Sequence, residues 1–129
     1  MDKKLSERIA EDGITIEASM AGMSEDMKRR TWNVTLRREG GVFRLPVEQR
    51  ERPTAHDVLD LVCGVCNIID QVDSRDEWAR EYDMAGDPEH KTHTEKDFRT
   101  WTDINMRLLA FLGEDRHQAY LYNTDRSDG

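Results

Sequence analysis

Hydrophobic and polar residues alternate along two stretches in the first third of the chain, residues 13–22 and 31–38. The apolar residues that fall on one side are Ile14, Ile16, Ala18, Trp32, Val34 and Leu36. Alternation with a period of two predicts strands that bury one face. The Gly40-Gly41 pair separates the second stretch from residues 42–47, which end at a proline, and this pattern predicts a hairpin. The N-terminal half is therefore expected to form a three-stranded antiparallel sheet.

Two N-terminal segments lack this alternation. Residues 23–30 are polar and charged, and they predict a flexible loop between the first two strands. Residues 1–10 place Leu5 and Ile9 at helical spacing, which leaves a short helix and a frayed end as alternatives.

From residue 53 onward, apolar residues recur every three or four positions, which predicts helices. A central buried helix is expected over residues 55–71, with Thr54 as its N-cap and Asp57 in the position that a capping box gives to Glu or Gln. Ser74 and Glu77 form a complete S-x-x-E capping box and predict a second, short helix. The fold class that follows is α+β.

The chain ends with two more helical patterns. An amphipathic helix is expected from about residue 89 or 93 to residue 112, closed by Gly113 as a C-terminal cap, and a last helical segment follows it. Together the patterns predict the three-stranded sheet packed against three to four helices of the C-terminal half. We expect residues 1–129 to form a single domain, with fraying confined to residues 1–10 and 124–129.

Charge is distributed unevenly along the chain. Residues 1–50 carry ten Lys or Arg and nine Asp or Glu, whereas residues 51–129 carry nine basic and 18 acidic residues, a net charge of −9. A field of this sign repels a phosphate backbone and favours a basic protein surface, so direct nucleic-acid binding is not expected. The sequence has no long apolar run and no leader pattern, so neither a membrane span nor export is expected, and a cytoplasmic location follows.

Cys63 and Cys66 raise the question of a metal or redox site. Together with His90 and His93 they form a C-x2-C and H-x2-H pattern, which is formally a Cys2His2 set of zinc ligands. The cysteines, however, lie inside an apolar helix and not in a turn, and they lie far from the helix start that lowers a thiol pKa in redox motifs. Packing as small core residues is the favoured interpretation, with no metal and no cofactor. The histidines at positions 56, 90, 93 and 117 are read as surface residues.

Acidic residues are most dense between residues 70 and 97, where they lack the spacing of a calcium loop. A solvated face is the ordinary interpretation, and a partner-binding surface is the functional one. The candidate binding residues are Asp73, Asp76, Glu77, Asp83, Asp87 and Glu89.

Four segments carry a resemblance to a known family. They are W-x-V-T-L at residues 32–36, P-T-A-x-D-V-L-D at 53–60, E-W-A-x-E-Y at 77–82 and F-L-G-E-D at 111–115. In this order they resemble a family of small proteins of bacteriophages, prophages and mobile elements of bacteria. The family carries small residues where this chain has Cys63 and Cys66, which favours packing. The chain departs from the family after Tyr82, where relatives continue with Gly-Tyr-Asp.

The resemblance implies a context and not a reaction, because the family has no settled activity. The expectation is a non-enzymatic accessory protein in the bacterial cytoplasm that binds a host or phage protein with a basic surface. Inhibition of a defence nuclease through the acidic helical half is one form of this expectation. The alternatives are a virion assembly component, a small zinc-binding regulator and a DNA-binding regulator. The oligomeric state is left open.

Overall fold

The computed structural model describes residues 3–23, 25–72, 76, 77, 80 and 95–123. This part of the chain contains a three-stranded antiparallel sheet and four helices, so the predicted α+β class is confirmed. The elements in chain order are α1 (Leu5–Glu11), β1 (Thr15–Met23), β2 (Arg30–Arg38), β3 (Gly41–Gln49), α2 (Ala55–Gln71), α3 (Glu95–Leu112) and α4 (Glu114–Leu121).

The chain divides into two compact units. The first comprises Met1–Leu61 with Asn123–Gly129, and the second comprises Val62–Tyr122. Helix α2 begins in the first unit and ends in the second.

The sheet of the first unit has the order β1-β2-β3, and each neighbouring pair is antiparallel. On β2 and β3 the predicted alternation gives one buried face, formed by Trp32, Val34, Leu36, Phe43, Leu45 and Val47. The turn between these strands contains Gly40 with φ 82°, a left-handed conformation that favours glycine. The hairpin that the glycine pair predicts is therefore present.

Helix α1 is the alternative that the structure adopts for the N-terminal segment, and both Leu5 and Ile9 are buried. It ends in a Schellman motif, in which the Gly13 amide donates to the Ala10 carbonyl and the Ile14 amide donates to the Ile9 carbonyl. Gly13 has φ 66°, as this motif requires. The motif places Ile14 on the buried side next to the start of β1.

The start of α2 has the predicted capping box. The Asp57 amide donates to Oγ1 of Thr54 at 3.1 Å, and the Thr54 amide donates to Oδ2 of Asp57 at 3.0 Å. Aspartate therefore makes the reciprocal bond here, although Glu or Gln is usual at this position.

The described part of the second unit contains helices and their connections but no strand. Its core includes the C-terminal portion of α2, where Val65 and Ile69 pack with the partly buried Phe98 and Trp101 of α3. The other buried apolar residues of α3 and α4 are Ile104, Leu108, Phe111, Leu112, Tyr120 and Leu121. The amphipathic spacing read from the sequence of α3 is thus confirmed.

A single glycine connects α3 to α4. The Gly113 amide donates to the Leu109 carbonyl, and the Gly113 carbonyl accepts from the His117 amide, both at 2.8 Å. Gly113 has φ 86° and ψ 159°, a conformation available almost only to glycine. The predicted C-terminal cap of α3 is therefore also the N-cap of α4.

Three predicted segments lie largely or wholly outside the described residues. Asp76, Glu77 and Arg80 have helical backbone, while the rest of the short helix predicted from Ser74 is not among the described residues. Residues 89–94, where the amphipathic helix was expected to begin, and residues 124–129 are also outside the described residues.

Candidate functional site

Cys63 and Cys66 lie in the interior of the second unit, with 1% and 0% of their surfaces exposed. The pKa of the Cys66 thiol is raised to about 12, chiefly by burial and in smaller part by the neighbouring Cys63 and Asp70. Zinc binding and redox chemistry both need a thiolate, so this environment works against them. The structure thus favours the packing interpretation of the two cysteines.

The described residues contain no group of three or more His, Cys, Asp or Glu side chains placed to hold a metal ion. His90 and His93, the other half of the zinc pattern, lie outside the described residues. The expectation of no bound metal stays a prediction.

His117 is not a surface residue, and the sequence interpretation is wrong for it. Only 3% of its surface is exposed. Its Nε2 lies 2.8 Å from Oδ1 of Asn105 on α3. Because an amide oxygen can only accept, Nε2 donates in this hydrogen bond. Burial lowers the pKa of His117, and the negative charge of Asp70 partly offsets that shift.

The burial of His117 could have been predicted from its spacing to apolar residues in α4. His117 precedes Tyr120 by three positions and Leu121 by four, and residues so spaced share one face of a helix. Since Tyr120 and Leu121 are buried, His117 follows them inside. Its apolar neighbours therefore predict its place better than its own polarity does.

Further polar contacts join α2 to the end of α4. Nδ2 of Asn67 donates to the Leu121 carbonyl at 2.9 Å, and the Tyr122 hydroxyl donates to Oδ2 of Asp70 at 2.7 Å. The bond to Asp70 favours the neutral phenol and raises the pKa of Tyr122 to about 12. We call Asn67, Asp70, Asn105, His117 and Tyr122 the polar cluster of the second unit.

Chemically, every side chain of the polar cluster already has a hydrogen-bond partner, either in the cluster or on the backbone of α4. Burial favours the neutral form of the His117 ring, and the hydrogen bond to Asp70 favours the protonated form of the Tyr122 phenol. These hydrogen bonds connect α2 and α3 to the α4 segment, so the arrangement explains helix packing without any reaction.

The candidate acidic residues are only partly within the described chain. Asp76 is exposed and Glu77 is half-buried. Glu77 lines a cleft of about 260 Å³ together with Asn67, Ile68, Gln71 and Val72. The structure does not describe Asp73, Asp83, Asp87 or Glu89, so it brings together no more than two of the six residues.

A second surface, for which the sequence predicted the end of a strand followed by a loop over residues 23–30, lies at one end of the sheet in the first unit. Strand β1 continues to Met23, and Met20, Met23 and Met27 are 56%, 45% and 70% exposed. Beside them a groove of about 470 Å³ is lined by Met27, Lys28, Arg30 and Arg50. We call this methionine-bearing basic surface, which lies where β1 ends and β2 begins, the hairpin end. Methionine at positions 20, 23 and 27, next to the Lys28-Arg29-Arg30 run, was the sequence signal for it.

No helix in the described part of the chain is long and apolar enough to span a membrane. Comparison with family models, with curated proteins and with solved structures finds no match for this chain. The family resemblance carried by residues 32–36, 53–60, 77–82 and 111–115 therefore stays a prediction.

Proposed function

We propose that the protein is a non-enzymatic accessory product of a bacteriophage or mobile element that binds a host or phage protein with a basic surface in the bacterial cytoplasm. The observation that carries this proposal is the charge of residues 51–129, which have twice as many acidic as basic residues. The resemblance to phage and mobile-element proteins supplies the biological setting.

The described helices support a surface location for this charge. The exposed carboxylates described on α2, at residue 76, on α3 and on α4 are those of Asp57, Asp60, Asp70, Asp76, Asp103, Glu114 and Asp115. Some of their charge is used locally, since Asp103 pairs with Arg107 at 3.0 Å one helical turn away. The net charge of this half nevertheless stays strongly negative.

An acidic surface of this kind accelerates the encounter with a basic partner, and the benefit falls as salt screens the charges. A protein that binds nucleic acid presents such a basic surface, and an acidic protein can occupy it in place of the phosphates. We therefore propose inhibition of a nucleic-acid-binding defence protein as the specific role.

The test is an affinity pull-down of the tagged protein from a lysate of a bacterial host at low and high salt, with partners identified by mass spectrometry. The affinity for an identified partner is then measured for a variant in which Asp73, Asp76, Asp83 and Asp87 are all changed to Asn. We expect a basic partner whose retention falls with salt, and a loss of binding by at least about tenfold in the variant.

A matched control changes Glu7, Glu25, Glu39 and Glu48 to Gln, which removes the same amount of negative charge from residues 1–50 of the first unit. This control should bind as the unchanged protein does, and both variants should keep its thermal stability. Equal affinity of the Asp variant and the unchanged protein, or equal losses in both variants, would contradict a role for the acidic half.

A further inference from the structure

The hairpin end has exposed apolar side chains on the same face of the sheet as the buried core residues. Met20 pairs with Trp32 and Met23 pairs with Arg30 in the register of β1 and β2, so both methionines lie on the same face as the buried Trp32. The irregularity between Met20 and Gly22 keeps Met23 on that face, because one extra residue shifts the alternation by one position. The apolar strip therefore continues from the core to an exposed edge.

The side chains under this strip are held in place. Nε1 of Trp32 donates to the Gln49 carbonyl at 3.1 Å. The Arg52 guanidinium lies 5.0 Å from the centre of the Trp32 ring and also donates to the Ala18 carbonyl of β1. These contacts hold β1, β2 and the segment after β3 together around the Trp32 ring. The backbone next to Met20 is therefore fixed in position.

The rim of the strip is positively charged. Lys28, Arg30 and Arg50 line the groove beside Met27. Among the described residues none of these three side chains takes part in an ion pair, whereas Arg37 on the same sheet pairs with Glu17 at 3.7 Å. Three basic side chains are therefore available in the groove next to three exposed methionines.

The backbone conformation and the burial of position 27, in the loop between β1 and β2, do not explain why methionine occurs there. Met27 has φ 60°, a left-handed conformation that glycine or asparagine adopts at lower cost, and 70% of its surface is exposed. Methionine side chains are flexible and polarisable, and they are used where one surface accommodates apolar groups of a partner.

We propose that the hairpin end is a docking surface for a segment of another protein that carries both carboxylates and apolar side chains. The carboxylates pair with Lys28, Arg30 and Arg50, while the apolar side chains cover Met20, Met23 and Met27. A nucleic acid would use the basic residues but would leave the methionines exposed. The surface lies in the first unit and has the opposite charge to the acidic half, so this proposal is independent of the proposed function.

The test measures fluorescence anisotropy of a short labelled peptide in which glutamate and valine alternate. Two further probes of equal charge are a glutamate-serine peptide and a single-stranded DNA oligonucleotide. We expect the glutamate-valine peptide to bind about tenfold more tightly than either of the others. Charge reversal by Lys28→Glu, Arg30→Glu and Arg50→Glu together should abolish its binding, and Met20→Ser with Met23→Ser and Met27→Ser should reduce it to that of the glutamate-serine peptide.

A control reverses Lys3, Arg99 and Arg107 to Glu, which makes the same change in net charge away from the hairpin end and should leave the peptide affinity within about twofold. Circular dichroism establishes that each variant is folded. The proposal is overturned if the oligonucleotide binds as tightly as the glutamate-valine peptide, if the methionine variant keeps full affinity, or if none of the three probes binds.

Discussion

Among single residues, Cys66, His117 and Tyr122 of the second unit have shifted pKa values, and the causes are burial and Asp70, with Cys63 also contributing at Cys66. Burial raises the pKa of the Cys66 thiol and lowers the pKa of the His117 imidazole, because in both cases it disfavours the charged form. Asp70 adds to the first shift and opposes the second. Its hydrogen bond, and not burial, is the main cause of the raised pKa of Tyr122.

The lowered pKa of His117 predicts a loss of stability in acid. In the unfolded chain this residue takes up a proton near its ordinary pKa of 6.5, whereas the folded protein takes it up only at lower pH. Between these two values the unfolded state binds more protons, so the free energy of unfolding falls as the pH falls. We expect His117→Gln, whose amide can still donate to Asn105, to lose less stability over this range, as measured by urea unfolding at a series of pH values.

His56→Gln is the matched control for this experiment. His56 is half-buried on α2 in the first unit and does not belong to the polar cluster. Its substitution should leave the acid-induced loss of stability in place. If His117→Gln and the unchanged protein lose stability in parallel as the pH falls, burial of the His117 ring does not control the acid response.

At the scale of elements, the connection between α3 and α4 depends on one backbone conformation. Alanine at position 113 meets no atom within 4 Å of its Cβ, so the cost of Gly113→Ala comes from the backbone at φ 86° and not from a clash. Such a conformation costs a residue other than glycine about 1–3 kcal/mol. We expect Gly113→Ala to lower the free energy of unfolding by that amount in urea denaturation monitored by circular dichroism.

Gly22→Ala provides the comparison. Gly22 lies in β1 without a positive φ, and its Cβ would also meet no atom within 4 Å. This substitution should change stability by less than about 0.5 kcal/mol. Similar losses in the two variants would mean that the left-handed backbone of Gly113 is not the source of the effect.

Local patterns predicted the elements where a short segment determines its own structure. Alternation in β2, the glycine turn before β3 and the Thr54-Asp57 capping box all have their expected outcome in the structure. The Schellman motif at Gly13 could have been found in the same way, since Ile9 and Ile14 flank it as apolar residues.

The functional surfaces were less predictable because they depend on contacts between distant parts of the chain. His117 looks polar on a helical wheel, and its burial follows from the packing of α4 beside Asn105. The position of Met23 on the buried face depends on a strand irregularity that alternation alone does not reveal. Net charge, by contrast, is additive along the sequence, so the acidic half could be recognised without a structure.

For the molecule as a whole, charge and fold divide in nearly the same region of the sequence. The balanced residues 1–50 lie entirely in the first unit, while most of the acidic residues 51–129 lie in the second. The two proposed binding surfaces follow this division, with the hairpin end in the first unit and the described acidic candidates in the second. A protein so arranged can engage partners of opposite charge through separate surfaces.

Helix α2 bears on whether the two units unfold together. It crosses from the first unit to the second between Leu61 and Val62 without a break, so unfolding of either unit exposes buried residues of a shared helix. We therefore expect one cooperative transition, as for the single domain predicted from the sequence. Trp32 and Trp101 provide a fluorescent reporter in each unit.

The measurement uses two variants that each retain one tryptophan. Trp78→Phe with Trp101→Phe retains Trp32, and Trp78→Phe with Trp32→Phe retains Trp101. Urea unfolding followed by fluorescence should give the same midpoint in each variant as circular dichroism gives in that variant, because coincident probes are the mark of a two-state transition. Trp78→Phe alone is the control for the substitution common to both. If the fluorescence midpoint departs from the circular dichroism midpoint both in the variant that retains Trp32 and in the variant that retains Trp101, the units unfold independently. Helix α2 then melts in two parts despite its continuous backbone.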